Sequence, residues 1–447
     1  MITERNRWFD MVGVGLGPFN LSLAALLSET SFKNFKFFES RKEFNWHPGM
    51  LIDETTLQVS FLADLVSLIH PQSKYSFLNY LKEHDRLYNF YFLDRNYIFR
   101  KEYNHYCKWV SEELNTENYI NFNSCVEDVE EIEGGFKISL KNNDIEEVYY
   151  ASNIVIGVGT VPHIPKCLYD LREKYPKKIF HSSEFLNNDI EVDNKKIVVL
   201  GSGQSSAEIT LKMIKMLEKA SDSTKLSWIT RSESFQPMDV SKLSIEFCSP
   251  KYVNYIYNLS DSVRDKLIST QGNLYKGISI KTISDVFDSI YNLTIDKGYD
   301  IIDIRCSSEL IDVGIDQENL LLTFHERNEG INYTIKADTI ISGTGYKNTE
   351  LCFLKKLESK IKKDPQDRYK INDSYEVDYK GIGGIFIQNG EMHSHGVGSS
   401  DLGLGAWRSA IIANKLLGYE HFQLPKKTAF QTFGCLDTTQ GEVSFND

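Results

Sequence analysis

Two short apolar segments, almost 190 residues apart, each run directly into closely spaced glycines and then into a helix-compatible stretch. The first reads FDMVGVGLGP from Phe9, and the second reads KKIVVLGSGQ from Lys195. Each apolar segment suits a strand buried in a parallel sheet. A strand, a glycine turn and a helix together bring backbone N–H groups close to a bound phosphate. The chain is therefore predicted to be α/β, with two Rossmann-like dinucleotide-binding domains.

An acidic residue follows the first unit at the spacing expected of a ribose-binding carboxylate. A second strand, Phe35–Phe38, ends at Glu39, which lies 22 residues after Gly17. That spacing matches the carboxylate that binds a ribose hydroxyl in dinucleotide domains. Pro18 replaces the last glycine of the usual motif, but proline is tolerated in a first helical turn, where its missing N–H would be unpaired. FAD-binding units usually lie at the N-terminus. The predicted FAD residues here are Gly13, Gly15, Gly17, Pro18 and Glu39.

The second unit is followed by a cation instead. Its next strand, Leu226–Thr230, leads to Arg231. A cation at this place suits the 2′-phosphate of NADPH, whereas an acid would suit NADH. A solvated surface arginine is the alternative interpretation. Two dinucleotide sites in one chain indicate a flavin that is reduced by a nicotinamide, a plan shared by disulfide reductases, flavin dehydrogenases and flavin monooxygenases.

Cysteine spacing and composition narrow these classes. The seven cysteines lie at least 18 residues apart and form no CxxC or CxxxxC pair. This spacing argues against a dithiol disulfide reductase and against a zinc ribbon. We expect free thiols, no metal site and a cytoplasmic location. The net charge of −12 argues against nucleic-acid binding. The sequence contains no run of 18 apolar residues, so no membrane-spanning helix is predicted.

The remaining segments predict how the chain is divided. Helical apolar spacing in Ser260–Ser269 and Ile283–Asn292 predicts a mainly helical insert, and Trp407–Leu417 predicts a further amphipathic helix. Strand-like segments that end in glycines, 151–159 and 337–346, are expected to lead from one domain to another, and 434–447 is expected to be loose. The predicted limits are 1–165 with 338–447 for an FAD domain, 175–240 with 298–337 for an NADPH domain, and 241–297 for a substrate-binding insert.

Several motifs, in order over nearly the whole chain, resemble the N-hydroxylating flavin monooxygenases of siderophore biosynthesis. The matching segments are VGLGPFNL from Val14, FNWHPGM from Phe44, LQVSFLADLVS from Leu57, YSFLNYL from Tyr75, GSGQSSAE from Gly201, HG from His395 and LGAWRSA from Leu404. Members of this family hydroxylate lysine, ornithine, aliphatic diamines such as putrescine and cadaverine, or histamine. The resemblance implies an FAD domain, an NADPH domain and a small helical substrate domain.

The resemblance also implies a mechanism and a set of site residues. NADPH reduces FAD, O2 forms C4a-hydroperoxyflavin, and a neutral amine attacks the distal oxygen, so no catalytic side chain is predicted. Family members are often tetramers, which implies a homo-oligomer. Plain core packing is the alternative for Trp46 and His47. The residues implied for FAD and its surroundings are Trp46, His47, Gln58, His395, Gly396, Leu402 and Leu404, and those for NADPH are Gly201, Gly203, Gln204, Ser205 and Arg231. Thr344 and Gly345 are further predicted cofactor-binding residues.

Departures from the family pattern bear on the substrate. Amino-acid hydroxylases have a lysine where this chain has Ala63, and ornithine enzymes have an asparagine where it has Ile245. A buried carboxylate without a partner is costly, so we expect an amine without a carboxylate. In the C-terminal loop, family members often have an aspartate or glutamate where this chain has Ser399. They have a serine where this chain has Gly403, and the smaller glycine is expected to open space. These changes favour histamine slightly, while Asp401 could still serve an aliphatic diamine.

Two other functions stay open from the sequence. Lysine or ornithine would be possible if Lys276 or Arg231 held the substrate carboxylate. A flavoprotein that oxidises NADPH without hydroxylating an amine belongs to a different class. The predicted substrate-pocket residues are Ala63, Ile245, Lys276, Ser399, Asp401 and Gly403.

Overall fold

A computed structural model describes residues 7–317 and 319–435. The strands are β1 Trp8–Val14, β2 Phe35–Phe38, β3 Ile120–Asn121, β4 Ser124–Ile132, β5 Gly135–Asn142, β6 Ile145–Ile156, β7 Thr160–Pro162, β8 Ile179–His181, β9 Lys196–Leu200, β10 Lys225–Ile229, β11 Ile302–Arg305, β12 Ser308–Asp316, β13 Asn319–Glu326, β14 Ile331–Ala337, β15 Thr339–Ser342, β16 Tyr346–Asn348 and β17 Gly384–Ile387. The helices are α1 Pro18–Ser28, α2 Phe77–Glu83, α3 Leu87–Leu93, α4 Arg100–Thr116, α5 Tyr169–Lys174, α6 Gln204–Leu217, α7 Pro250–Tyr257, α8 Asp261–Thr270, α9 Ile280–Lys297, α10 Met392–His395 and α11 Gly405–Leu417.

The first sheet is built on a parallel core of apolar strands. Its parallel neighbours run β3-β2-β1-β6, and β17 joins the C-terminal part of β6. The N-terminal part of β6 instead pairs with β5, which pairs with β4, and both pairings are antiparallel. Helices α1 and α11 pack against each other, and both contribute to one large apolar core. The FAD sequence unit thus forms β1, the turn and α1, as predicted.

The second sheet is wholly parallel, in the order β11-β10-β9-β15-β8. Helices α6 and α9 pack together beside it, and α9 is the crossover between β10 and its parallel neighbour β11. A separate antiparallel sheet, β12-β13-β14, packs its apolar side against β9 and β15. The predicted fold class is confirmed, with two Rossmann-like units and a helical segment between them.

The predicted elements agree with the observed ones, while the domain limits stay a prediction. Helices α8, α9 and α11 cover the segments with helical spacing. Within 241–297, α9 packs on the second sheet, whereas α7 and α8 pack against α10 and the 3-10 helix at Ser244–Cys248 packs against the loop after α10. β15 follows the predicted limit at 338 and lies in the second sheet. The expected loose end falls mostly on 436–447, outside the described residues.

Two short strands join the sheets. β7 follows β6 out of the first sheet, and β16 follows β15 out of the second. They pair antiparallel, with Tyr346 opposite Pro162. Segments 151–159 and 337–346 thus each run from one of the two sheets toward this strand pair, and their role as links between domains stays a prediction. In the described part of the chain, no helix is long and apolar enough to cross a membrane.

The Gly13→Ala variant tests how tightly β1 packs. A Cβ at Gly13 would lie 2.0 Å from Cδ1 of the buried Phe37 ring, so the ring or the strand must move. We expect a loss of about 1–3 kcal/mol in the free energy of unfolding, the usual cost of overpacking. Urea denaturation measures it. Gly314→Ala is the control because its Cβ would meet open space. An equal loss of stability in both variants would contradict the close packing of Gly13 against Phe37.

Candidate active site

The turn between β1 and α1 leaves open space at the start of the helix. Gly15 has φ +81°, and a Cβ there would lie 2.9 Å from the carbonyl oxygen of Gly157. Gly17 is the N-cap of α1 without a side-chain hydrogen bond, and the nearest atom to a Cβ at Gly17 is 3.9 Å away. Pro18 occupies the first helical position, as expected. The backbone N–H groups of this helix start are therefore accessible to an anion.

Two buried amides that the sequence analysis missed hold this turn. Asn20 Nδ2 donates to the carbonyl oxygens of Val14 at 3.3 Å and Gly15 at 2.7 Å. Gln388 Nε2 donates to Asn20 Oδ1 at 2.8 Å, from just beyond β17. Asn20 lies in the quoted VGLGPFNL segment, but nothing in the sequence pairs it with Gln388. These amides fix the turn without using the N–H groups that face the open space.

Glu39 lies at the end of β2 and points to the same turn. Its Oε2 accepts from the N–H of Leu16 at 2.8 Å, and its Oε1 accepts from the N–H of Arg41 at 2.9 Å. A carboxylate has about four acceptor positions, so Glu39 keeps capacity for a ribose hydroxyl. The predicted FAD residues Gly13, Gly15, Gly17, Pro18 and Glu39 therefore surround one turn.

The turn between β9 and α6 repeats this geometry. Gly201 has φ +110°, and Gly203 is the N-cap of α6 without a side-chain hydrogen bond. A Cβ at Gly203 would again find its nearest atom 3.9 Å away, the carbonyl oxygen of Lys276. Arg231 is exposed two residues after β10, and its guanidinium has no ion-pair partner within the described residues. Ser205 lies in the first turn of α6.

Both turns fit a dinucleotide. Each combines a parallel strand, a glycine with positive φ and a helix start whose cap position is open. An acid stands beside the first turn and an unpaired cation follows the strand next to the second. These are the groups that bind a ribose hydroxyl and a 2′-phosphate, respectively.

Trp46 and His47 lie where the two sheets meet. The N–H of Trp46 donates to Asn104 Oδ1 at 2.7 Å, and its ring packs edge-on against Tyr103. His47 starts a 3-10 helix, Pro48–Met50, and its ring lies 5.7 Å from that of Tyr346 on β16. Burial, together with the nearby positive charge of Arg100, lowers the pKa of His47 to about 4.

Gln58 and Gln204 connect the residues predicted to bind FAD with those predicted to bind NADPH. Gln58 Nε2 donates to Gln204 Oε1 at 3.3 Å. Gln204 is the first residue of α6, directly after Gly203, whereas Gln58 belongs to the segment that leads to Ala63. The second nucleotide turn therefore lies against a segment of the first domain.

The C-terminal loop before α11 is held by a buried ion pair. Arg408 Nη1 bonds Glu391 and donates to the carbonyl oxygen of Ser399 at 2.9 Å, while its guanidinium lies 4.2 Å from the Phe19 ring. Arg408 and Glu391 are fully buried. Phe19 is on α1, so this pair connects the loop to the first nucleotide turn. The pair was also missed by the sequence analysis.

His395 and its neighbours lie under this loop. His395 stacks on Tyr375 at 4.3 Å, and Nε2 of this buried ring has no hydrogen-bond partner within the described residues. Burial lowers the pKa of His395 to about 3, so the ring is neutral. Gly396 has φ +83°. Leu402 and Leu404 flank Gly403 in a 3-10 turn, and Leu404 is buried at the start of α11.

Four of the predicted substrate-pocket residues come together at this loop. A Cβ at Gly403 would lie 2.9 Å from Asp401 Oδ1 and 3.8 Å from the Cβ of Ala63. The Gly403 N–H donates to Asp401 Oδ1 at 2.6 Å, and Ser399 is buried in the same loop. Burial raises the pKa of Asp401. Cys248 also approaches, since its Cα would lie 3.6 Å from a Cβ at Gly398.

The other predicted residues lie elsewhere. Ile245 is half-exposed in the 3-10 helix that ends at Cys248, and Lys276 is exposed beside Gly203 at the second nucleotide turn. The interpretation of Lys276 as a substrate anchor therefore has no support from its position. Thr344 and Gly345 lie between β15 and β16, where the carbonyl oxygen of Gly345 accepts from His181 Nε2 at 3.0 Å.

Comparison with known proteins identifies the family. Residues 7–348 match the model described as L-lysine 6-monooxygenase/L-ornithine 5-monooxygenase. The chain belongs to this family. It is 37% identical over 442 residues to the rhizobactin siderophore biosynthesis protein RhbE of Rhizobium meliloti, covering 95% of each chain. It is 35% identical over 430 residues to the putrescine N-hydroxylase of Acinetobacter baumannii, covering 95% of this chain and 93% of that one.

Solved structures agree. The FAD-bound cadaverine monooxygenase DfoA of the desferrioxamine pathway of Erwinia amylovora is 33% identical, has a TM-score of 0.90, and is matched over 96% of this chain and 99% of that chain. The ornithine N-hydroxylase KtzI of Kutzneria sp. 744, with reduced FAD, NADP+ and L-ornithine, is 26% identical with a TM-score of 0.84, over 92% and 99%. The resemblance read from the sequence motifs is confirmed.

His181 predicts a pH dependence of stability. Its Nδ1 accepts from the N–H of Ser183 at 3.1 Å and its Nε2 donates to Gly345, so the neutral ring is required. Burial lowers the pKa of His181 to about 4. Between the unfolded value near ~6.5 and about 4, only the unfolded chain takes up a proton, so stability falls as pH falls through this window.

We expect the melting temperature of the nucleotide-free protein to decrease from pH 7 to pH 5, and to decrease less in His181→Asn. His105→Gln is the control because His105 is exposed. A parent pH dependence that persists fully in His181→Asn would exclude His181 as its source.

Proposed function

We propose that this enzyme N-hydroxylates one primary amine of an aliphatic diamine, such as putrescine or cadaverine, in siderophore biosynthesis. Its cofactors are FAD and NADPH, and O2 is the oxidant. Family membership gives the amine N-hydroxylation. The observation that carries the choice of a diamine is the position of Asp401, a partly buried acid beside Gly403 and near Ala63.

Asp401 is suited to hold the distal ammonium of a diamine. Asp401 is partly buried, and the loss of solvent around its carboxyl raises its pKa. A bound cation offsets this cost of burial, whereas a substrate carboxylate would add a second negative charge. Asp64, a buried acid of this region, accepts from the N–H groups of Val66, Ser67 and Phe77 and therefore holds the local backbone. Asp401 accepts from the Gly403 N–H and from the Cys248 thiol, which leaves acceptor positions for an ammonium.

The reacting amine needs the opposite environment. A free alkylammonium has a pKa near ~10, and only the neutral amine is nucleophilic. Apolar groups line this region, among them Ala63 and Leu404. Desolvation there lowers the pKa of the amine, while the neutral His395 adds no positive charge. The site thus favours one charged and one neutral end of the same substrate.

The cofactors fit the two glycine turns. When bound, FAD reduced by NADPH activates O2 for transfer of one oxygen atom to the amine. The start of α1 and Glu39 would hold the FAD pyrophosphate and ribose, and the start of α6 with Arg231 would hold NADPH. The buried Arg408–Glu391 pair holds the C-terminal loop through the carbonyl oxygen of Ser399 and would help to fix its position beside the substrate.

Histamine, favoured slightly in the sequence analysis, has less support than the diamine alternative. The relatives reported above include a putrescine N-hydroxylase and a cadaverine monooxygenase. A neutral imidazole would leave the charge of Asp401 without a cationic partner. The expectation that Gly403 opens space for an imidazole is not met, because a Cβ there would already lie 2.9 Å from Asp401 Oδ1.

A substrate panel tests the proposal. Purified protein with FAD, NADPH and O2 is incubated with putrescine, cadaverine, histamine, lysine or ornithine, and the hydroxylamine product is measured rather than NADPH loss. We expect product from putrescine or cadaverine, and in Asp401→Asn a decrease of about 10–100-fold in their kcat/KM, because a hydrogen bond to a charged group is worth ~1.5–3 kcal/mol.

Two controls make this result specific. The monoamines n-butylamine and n-pentylamine lack the distal ammonium, so their kcat/KM should change little in Asp401→Asn. Asp144→Asn removes an exposed acid far along the chain and should change neither substrate class. Product from histamine or lysine alone would refute the diamine proposal.

Arg231→Ser tests the nicotinamide preference. Because the guanidinium would pair with the 2′-phosphate, we expect KM for NADPH to rise about 10-fold, with KM for NADH nearly unchanged. Steady-state kinetics with each nucleotide measures this ratio. Lys219→Ser, an exposed cation beyond the C-terminal end of α6, is the control. A parallel change in both KM values would rule out recognition of the 2′-phosphate.

A further inference from the structure

The Glu208 carboxylate, on the second turn of α6, joins groups from both nucleotide sites. Its Oε1 accepts from Arg100 Nη2 at 2.7 Å and from Gln204 Nε2 at 2.8 Å, and its Oε2 accepts from Arg100 Nη1 at 2.9 Å. Glu208 is 4% exposed, so solvent screens this pair little. The bidentate contact also fixes the direction of the guanidinium.

Arg100 extends this contact to the first domain. It is the first residue of α4, and its Nη1 also donates to the carbonyl oxygen of Met50 at 3.2 Å. Met50 ends the 3-10 helix that begins directly after His47. The loop that carries Trp46 and His47 is therefore held against α6 through one guanidinium.

Gln204 extends the contact to the second nucleotide turn. Its Oε1 accepts from the N–H of Ser279 at 2.8 Å and from Gln58 Nε2 at 3.3 Å. Gln204 directly follows Gly203, and Ser279 caps α9. One carboxylate thus connects a predicted NADPH residue with two segments predicted to line the flavin.

We infer that Glu208, together with Arg100, is a positioning residue for hydride transfer. It sets the distance between the NADPH turn and the flavin-lining loop. In this step one hydride passes from NADPH to FAD and leaves NADP+ and reduced FAD. The inference rests on the proposed function, because the step needs both nucleotides. Reacting atoms must lie within ~3–3.5 Å, so a small displacement of α6 slows the transfer.

Two measurements test this role. Hydrogen exchange of the nucleotide-free protein reports on segments 46–58 and 201–208, and anaerobic rapid mixing of the FAD-loaded protein with saturating NADPH gives the limiting rate of flavin reduction. For Glu208→Ala we expect faster exchange in both segments and a limiting rate reduced at least ~10-fold. Lys215→Ala is the matched control, because Lys215 joins the same helix to Glu54 through an exposed ion pair, and it should change neither measurement.

The outcomes are distinct. A folded Glu208→Ala protein with the parent's limiting rate, or with unchanged exchange, overturns the inference. If Glu208→Ala does not fold, Arg100→Lys decides, since it keeps the charge but loses the bidentate fork. A limiting rate at least three-fold lower supports the inference, and the parent's rate overturns it. A parent protein that NADPH does not reduce at all overturns the proposed function, and the inference with it.

Discussion

Both nucleotide turns depend on how closely one backbone can approach another. At Gly15 the neighbour is the carbonyl of Gly157, just after β6, and at Gly201 it is the carbonyl of Gly343, just after β15. Each turn is therefore closed by a glycine that ends the adjacent parallel strand. The same arrangement occurs in both sheets. In each pair of glycines, a side chain on either residue would push the start of the helix away from the position of a bound phosphate.

Local features of this arrangement could be predicted from the sequence. The glycine turns, the strands before them and helices α1, α6, α8, α9 and α11 follow from residues close together in the chain. Glu39 could be predicted because its spacing from Gly17 is set by one strand–helix–strand unit. Comparison with the family motifs likewise indicated Ala63 and Asp401 as substrate-pocket residues. The sequence alone does not show that these two residues lie close together at the C-terminal loop.

Contacts between distant residues could not be predicted. Gln388 supports the turn through Asn20, 368 residues away, and Arg100 pairs with Glu208, 108 residues away. Lys276 was an alternative carboxylate anchor in the sequence analysis because a single sequence does not show where a cation lies in the fold. The structure places the Lys276 backbone beside Gly203, at the turn after β9. Nor does the sequence show that Asp64 is buried and accepts from three backbone N–H groups, whereas Asp401 is partly exposed and accepts from the Gly403 N–H.

The antiparallel pair β7–β16 marks where the second sheet is inserted into the first, and this insertion affects the order in which a nascent chain can fold. The second sheet is inserted between two parts of the first, because β17 and α11 return to β6 and α1 only after residue 380. The inserted unit can fold on the ribosome while the first sheet still lacks β17 and the turn after β1 still lacks Gln388. Because these partners are far apart in the chain, their contacts form late. A nascent chain would thus complete its second sheet before its first, the reverse of the order in which the two sheets begin in the sequence.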